Sequence, residues 1–162
     1  AYQCGGLVMA SATYLQSLDS VYEDGTTRGI TPSNRRQTET FLASAPIAAN
    51  DLVALDFTTV GYSDGDKALY IRKALDSEIS QVAIGFALNA ATAAGDRVEV
   101  TISGIHESAN VVGTAAAGDR LCISSVAGQA KTITASDTCP IIAVATEDDT
   151  ANVATVFVIK QF

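Results

Sequence analysis

The sequence predicts a mainly β protein, a small barrel or sandwich built from two related halves behind an extended N-terminal arm. Three observations carry that expectation. A phrase of two alanines, Gly or Asn, then Asp is written three times, at Ala48-Ala49-Asn50-Asp51, Ala93-Ala94-Gly95-Asp96 and Ala116-Ala117-Gly118-Asp119. Gly and Asn tolerate φ > 0 at least cost, so each phrase reads as a tight turn feeding a strand. Large apolar residues stand two and four places after each Asp, the period of a half-buried strand. Finally, the span from about 48 to 103 is echoed by about 116 to 161.

Residues 1–49 read as the arm or extended lead-in. Gly5-Gly6, Gly25-Thr26-Thr27 and Thr31-Pro32-Ser33-Asn34 interrupt them, leaving only short apolar pieces such as Leu7-Val8-Met9 and Phe41-Leu42. A brief helix is expected over about 11–20, where Tyr14, Leu15 and Leu18 share a face. A segment this open suits an arm that orders on a partner surface.

The β-domain occupies 50–162. Val53, Leu55 and Phe57 line one face of its first strand, which the turn Ser63-Asp64-Gly65-Asp66 follows. Next comes a strand over 67–73, with Leu69 and Ile71 on one side and Tyr70 and Arg72 on the other. Val82 to Leu88 is a short apolar run, as a strand buried on both faces shows. Arg97 to Ser103 alternates most clearly, with Val98, Val100 and Ile102 pointing one way and Arg97, Glu99, Thr101 and Ser103 the other, and Gly104 is expected to close it. Leu121 and Ile123 begin another strand, Ile133 marks a weak one, and Pro140 introduces Ile141 to Ala145. The last segment, 153–162, is largely apolar on both faces.

The echo is positional. Ile84 to Asn89 aligns with Ile142 to Glu147 at an offset of 58, which also takes Val98 and Val100 to Val156 and Val158. Asn50-Asp51 meets Gly118-Asp119 at an offset of 68. Either half alone would expose an apolar face that the pair buries together.

At 162 residues the chain is one domain's length, enough to bury roughly 68–70% of its unfolded surface. Few aromatics and no Trp favour thin β-layers packed with small branched side chains. The net charge of −8, nearly all of it beyond residue 49, argues against nucleic acid or an anionic membrane as partner. No signal peptide is evident, and no apolar run suits a membrane span, so a soluble protein is expected. Cys4, Cys122 and Cys139 are odd in number with no C-x-x-C spacing. Free thiols are therefore expected, with Cys122 a small buried hydrophobe in its strand.

The run Ile84-Gly85-Phe86-Ala87-Leu88, the turn Ala90 to Gly95, Asp96-Arg97-Val98-Glu99-Val100 and Gly104, followed by Ala117-Gly118-Asp119-Arg120-Leu121, Pro140 to Ala145 and Val156 to Ile159, resembles the capsid decoration (cement, head-stabilising) proteins of tailed bacteriophages. The resemblance spans about 48–162 and rests on structural turns and strands rather than reactive groups. It implies a β-barrel or β-tulip-like fold, a homotrimer bound to the major capsid protein on the outside of the head, assembly in the host cytoplasm and no catalysis. Residues 1–49 depart from the short lead-in of that family.

No constellation points to an enzyme, and no cofactor or metal is expected. His106 is the lone histidine, placed by its neighbours in a surface turn, and no G-x-S-x-G accompanies it. Asp64-Gly65-Asp66 and Glu147-Asp148-Asp149 lack the ligand ladder of a calcium loop and read as hairpin turns. The basic cluster is Arg35-Arg36 with Arg28 nearby, either a solvated loop or a contact to an acidic shell surface. Two other functions suit the same composition: a surface-displayed glycan-binding adhesin, with Tyr22, Tyr62 and Tyr70 as the few stacking candidates, and a structural protein of a phage tail or ring.

Overall fold

The computed structural model describes residues 36–58, 67–76 and 82–160. The helix expected over 11–20, the Ser63–Asp66 turn, Arg28, Arg35, Tyr22 and Tyr62 lie outside them. The described body begins at Arg36 and holds nine strands: β1 (Arg36–Ala43), β2 (Leu52–Leu55), β3 (Tyr70–Lys73), β4 (Ala83–Ala87), β5 (Arg97–Val112), β6 (Arg120–Ile123), β7 (Ala130–Thr132), β8 (Ala143–Ala145) and β9 (Val153–Val158). A 3-10 turn, Lys67–Leu69, enters β3.

All nine belong to one sheet, ordered β1-β3-β2-β4-β5-β7-β6-β8-β9, with β5 also paired to β1 and to β9. Followed strand by strand, the pairings return on themselves twice, once on each side of β5. Each circuit includes a parallel contact of only two residue pairs, β1–β3 and β5–β7. The result is a pair of partial rings sharing one strand, neither a clear barrel nor two face-to-face sheets.

β5 explains how one strand serves both. Its 16 residues continue through Gly104, which the sequence suggested as a terminus. Extended chain rises ~3.3 Å per residue, so positions 101 and 106 would stand roughly 16 Å apart in a straight strand. Yet the side chains of Thr101 and His106 meet at 3.1 Å. The strand folds over at Gly104, whose φ of 92° glycine adopts without a Cβ clash. Bulges in the pairings with β1 and β9 flank the bend, as at other corners where strands change sheets.

The duplication is real at the level of hydrogen-bond register. Val53 lies opposite Lys73 and Gly85 in the first repeat, and Leu121 opposite Thr132 and Ala143 in the second. Ala43 beside Ile71 is matched by Val111 beside Ala130. Two details differ from the sequence alignment. Phe86 faces Thr101 as Val144 faces Phe157, so the last strands align at an offset of 56 rather than 58. Each repeat also has a first strand that the sequence reading missed, β1 in one and the second half of β5 in the other. Residues 36–43 thus belong to the sheet and not to the lead-in. Their burial explains the weak sequence signal: in Arg-Gln-Thr-Glu-Thr-Phe-Leu-Ala only Phe41 and Ala43 are buried.

Packing follows the repeat. One core cluster contains Phe41, Ala43, Val53, Ile71, Ile84, Val98, Val100 and Ile102. Their counterparts Ala109, Val111, Leu121, Ala130, Ile142, Ala154, Val156 and Val158 share the other. That second core also takes in Leu52, Ala54, Ala74, Ala83 and Phe86 from the outer face of the first repeat. This is why β4 reads as apolar on both faces: one lines its own ring and the other packs on the second. Gly85 sits where β4 crosses β5, and a Cβ there would come 1.9 Å from the Thr101 carbonyl oxygen. Phe57 and Leu69, expected to continue the strand faces of Val53 and Ile71, are 44% and 49% exposed because both lie outside the strands they flank.

Cys122 and Cys139 form a disulfide, with Cα atoms 6.0 Å apart, which corrects the expectation of free thiols for these two. Cys122 is buried on β6 as anticipated, and the chain after β7 returns to it. Three cysteines in sequence cannot reveal that return; proximity decides it.

Candidate interaction site

The three turn phrases share one local design. The residue before each Asp has positive φ: Asn50 at 69°, Gly95 at 89°, Gly118 at 91°. Each Asp Oδ2 accepts the N–H three residues earlier, from Ala48, Ala93 and Ala116, at 2.9 Å in every case. The Asp N–H groups donate back to the same residues' carbonyls. These carboxylates close turns, the Asx role their sequence suggested. At Asp96 the Ala93 N–H, then the Thr92 N–H and hydroxyl, hold the carboxyl below its ordinary pKa. Asp148 and Asp149 instead tie two loops together, Asp149 accepting Ala115 N–H and Asp148 accepting Ala117 N–H.

What differs is the surroundings. Asp51 is buried between the repeats. Besides Ala48 N–H it accepts Asn110 Nδ2 at 3.0 Å and pairs with Lys73 Nζ at 2.9 Å. Gly128, from the β6–β7 loop, packs against it so closely that a Cβ would lie 2.8 Å from Asp51 Cγ. Backbone bonds continue the seam: Asn110 N–H to Asn50 O, Leu52 N–H to Gly128 O, Gly128 N–H to Ala74 O and Asp76 N–H to Ser124 O. Lys131 reaches from β7 to Asp76 at 3.8 Å and Asp137 at 2.8 Å. The latter bond, with Thr134 N–H and hydroxyl, keeps the Asp137 carboxyl well below the usual carboxylate range.

His106 belongs to this seam. It is 1% exposed, stacked on Phe86 with ring centroids 5.4 Å apart, and not in a surface turn. Its Nε2 lies 3.3 Å from Asn50 Oδ1 and its Nδ1 3.1 Å from Thr101 Oγ1. The amide oxygen only accepts, so Nε2 carries the proton and Nδ1 takes the threonine hydroxyl. Burial, and secondarily the Arg36 charge, lowers the imidazole pKa to about 4. The ring is neutral at ordinary pH and serves as a packed polar spacer. The sequence did hold a signal for this cluster: its copy of the phrase has Asn where the other two have Gly.

Of the predicted basic cluster, only Arg36 is described, exposed at the start of β1 opposite Gly104. Tyr70 is half-buried on β3. Among the described residues no group of three His, Cys, Asp or Glu side chains is placed to hold a metal ion. Nor is any helix among them long and apolar enough to cross a membrane. Two outward surfaces stand out. Val144, Phe157 and Ile105 form a cross-strand apolar row over β8, β9 and β5, with Phe157 42% exposed. Beside Asp119, a polar cleft of about 440 Å³ is lined by Gly118, Asp119, Arg120, Ile133, Thr134 and Ala135.

The described body is thus two fused β-repeats joined across a polar seam, with acids that close its turns. The sequence matches no family profile and no curated protein. Among solved structures, the chain is similar to the N base of the head fibre gp8.5 of bacteriophage phi29, with a TM-score of 0.51 and 20% identity. The likeness covers 76% of this chain and 94% of that one, and it establishes a shared fold.

Proposed function

We propose that this protein is a structural component of a phage head that binds the outer surface of the capsid and stabilises the shell. The observation that carries the reading is the duplicated β-fold shared over nearly the whole length of a phage head-fibre base. Fold alone does not fix function, but two further features agree. The turn and strand phrases resemble those of capsid decoration proteins, and the polar groups of the seam hold the two repeats together. The reading includes no catalysis and no cofactor. Its partners are the major capsid protein and further copies of the chain, as a trimer assembled in the host cytoplasm, with no role for nucleic acid or membrane.

Physically, such a protein needs a rigid body and contacts spread over several shell subunits. Contacts made together reinforce one another through effective concentration. The acidic body, at net −8, favours solubility on an exposed surface. Because the described body begins at Arg36, with 36–43 in the sheet, the contact role assigned to the lead-in falls to 1–35, where Arg28 and Arg35 stand in the sequence, with Arg36 at the edge of the body.

The test is to mix the protein with expanded, undecorated heads and measure co-sedimentation and resistance of the heads to heat. Saturable binding that raises the disruption temperature is expected. Failure of the protein to bind such heads under any condition would remove the proposal. Deleting 1–35 is expected to abolish binding while the body retains its cooperative unfolding; unchanged binding would take the lead-in out of the account.

A further inference from the structure

The two repeats carry the same strand pairs in the same register, yet among the described residues one surface of the pattern is filled in the first and open in the second. In the first repeat, Asn50–Leu52 and Ala74–Asp76 bound a groove occupied by the β6–β7 loop, Ser124–Gly128. Leu52 N–H donates to Gly128 O at 2.7 Å, Gly128 N–H to Ala74 O at 2.9 Å, and Asp76 N–H to Ser124 O at 3.0 Å. A glycine is required because the loop backbone passes against Asp51 at a φ of 80°.

Position for position, the second repeat offers Gly118–Arg120 and Ile133–Ala135, the six residues that line the open cleft. The three backbone bonds of the filled groove have no counterpart there among the described residues. The side chains have changed with the exposure. Leu52 is fully buried, whereas its counterpart Arg120 is exposed and has no ion-pair partner among the described residues.

We propose that this cleft receives a second copy of the chain, by the loop-in-groove contact that the second repeat already makes to the first. The inserting element follows from the duplication. The counterpart of Ser124–Gly128 begins at Asp56, in the connection from β2 to β3, and Phe57 there is 44% exposed. Each copy's β6–β7 loop is already used within its own chain, which leaves the β2–β3 connection of a neighbour as the matching piece. That connection carries Asp64 and Asp66 in sequence, and Arg120 is the cation they would meet in the cleft, the neighbouring Asp119 carboxylate already accepting Ala116 N–H. The contact is head-to-tail, so it produces a ring when the rotation closes. Nothing in this contact depends on shell binding.

The test uses the full chain and reads its assembly state by sedimentation velocity over a range of concentrations. Arg120→Glu reverses the charge of the one cation in the cleft lining, and Ala135→Trp fills the cleft from an exposed loop position. Each is expected to weaken self-association by about tenfold or more while the thermal midpoint stays within the wild-type range. If Arg120→Glu folds poorly, Ala135→Trp carries the same test. Pairing Arg120→Glu with Asp64→Lys and Asp66→Lys is expected to restore assembly. A wild-type chain that remains monomeric at the highest concentration reached overturns the proposal, as does an oligomer that both variants leave intact. Variants that keep the oligomer but lose binding to heads would assign the cleft to the shell and also overturn it.

Discussion

Replacing Asp51 by alanine separates the two roles of the repeated phrase, because Asp96 and Asp119 provide internal controls of the same local geometry. All three variants lose a turn-closing bond from the N–H three residues back. Only Asp51→Ala also strips the seam. Loss of the turn bond costs about 1 kcal/mol by analogy with a helix cap. The part-buried Asn110 amide loses its acceptor at about 1–2 kcal/mol. Lys73 is 37% exposed and can turn to water, so its pair contributes about 1 kcal/mol or less. The total is about 3 kcal/mol, a fall in Tm on the order of 10 °C for a body of this size. Asp119→Ala, half-exposed, is expected to cost about 1 kcal/mol, and Asp96→Ala to fall well short of Asp51→Ala. Differential scanning calorimetry at pH 7 measures all three. Equal decreases across the series would refute the reasoning, since burial of the first copy would then add nothing to the turn.

Four further outcomes follow from particular contacts. The His106 pKa is depressed in the folded state to about 4 from an unfolded value near 6.5, so the unfolded chain binds the extra proton between those values. Stability is therefore expected to fall by up to about 3 kcal/mol as pH drops from 6.5 to 4; in denaturant titrations His106→Gln should flatten that part of the profile, and an unchanged slope would contradict the assignment. Gly85→Ala drives a Cβ into the Thr101 carbonyl oxygen; a loss of about 3 kcal/mol or more, or no soluble protein, is expected, and near wild-type urea unfolding would show that the β4–β5 crossing is looser. Ala151 and Asn152 both have positive φ in the two-residue turn before β9, so Ala151→Asn with Asn152→Gly should stabilise the protein by about 1 kcal/mol; any loss would count against that turn. The Cys122–Cys139 bond closes a separation of 17 residues, and Cys139→Ser should cost about 3 kcal/mol, with the linked peptide pair present in a non-reducing digest of the wild type.

Much of the fold could be read from residues because its signals are local. β4, the first half of β5 and the three turns each carry their own pattern, and the duplication is visible as repeated spacing. What escaped depends on what surrounds a residue. Strand β1 has too few apolar side chains to declare itself, since its outer face is wet. Gly104 looks like a terminus locally but is a bend inside a strand that serves both repeats. His106 follows that glycine and was read as surface for the same reason. Asp51, Asp96 and Asp119 are alike in sequence, and only the docking of the second repeat on the first makes one of them central. The sequence did suggest that these acids close turns. The offset of 68 sets Arg120 against Leu52, but it carries no sign that the leucine is buried under the β6–β7 loop while the arginine is exposed.

The central claim is a place on a viral shell, and a density map of expanded heads incubated with the protein tests it most directly. The account expects ordered density for the duplicated β-body at regular sites on the outer capsid surface, with its lead-in directed to the shell. Heads whose outer surface stays bare at saturating protein, or density confined to the tail or the interior, would contradict it.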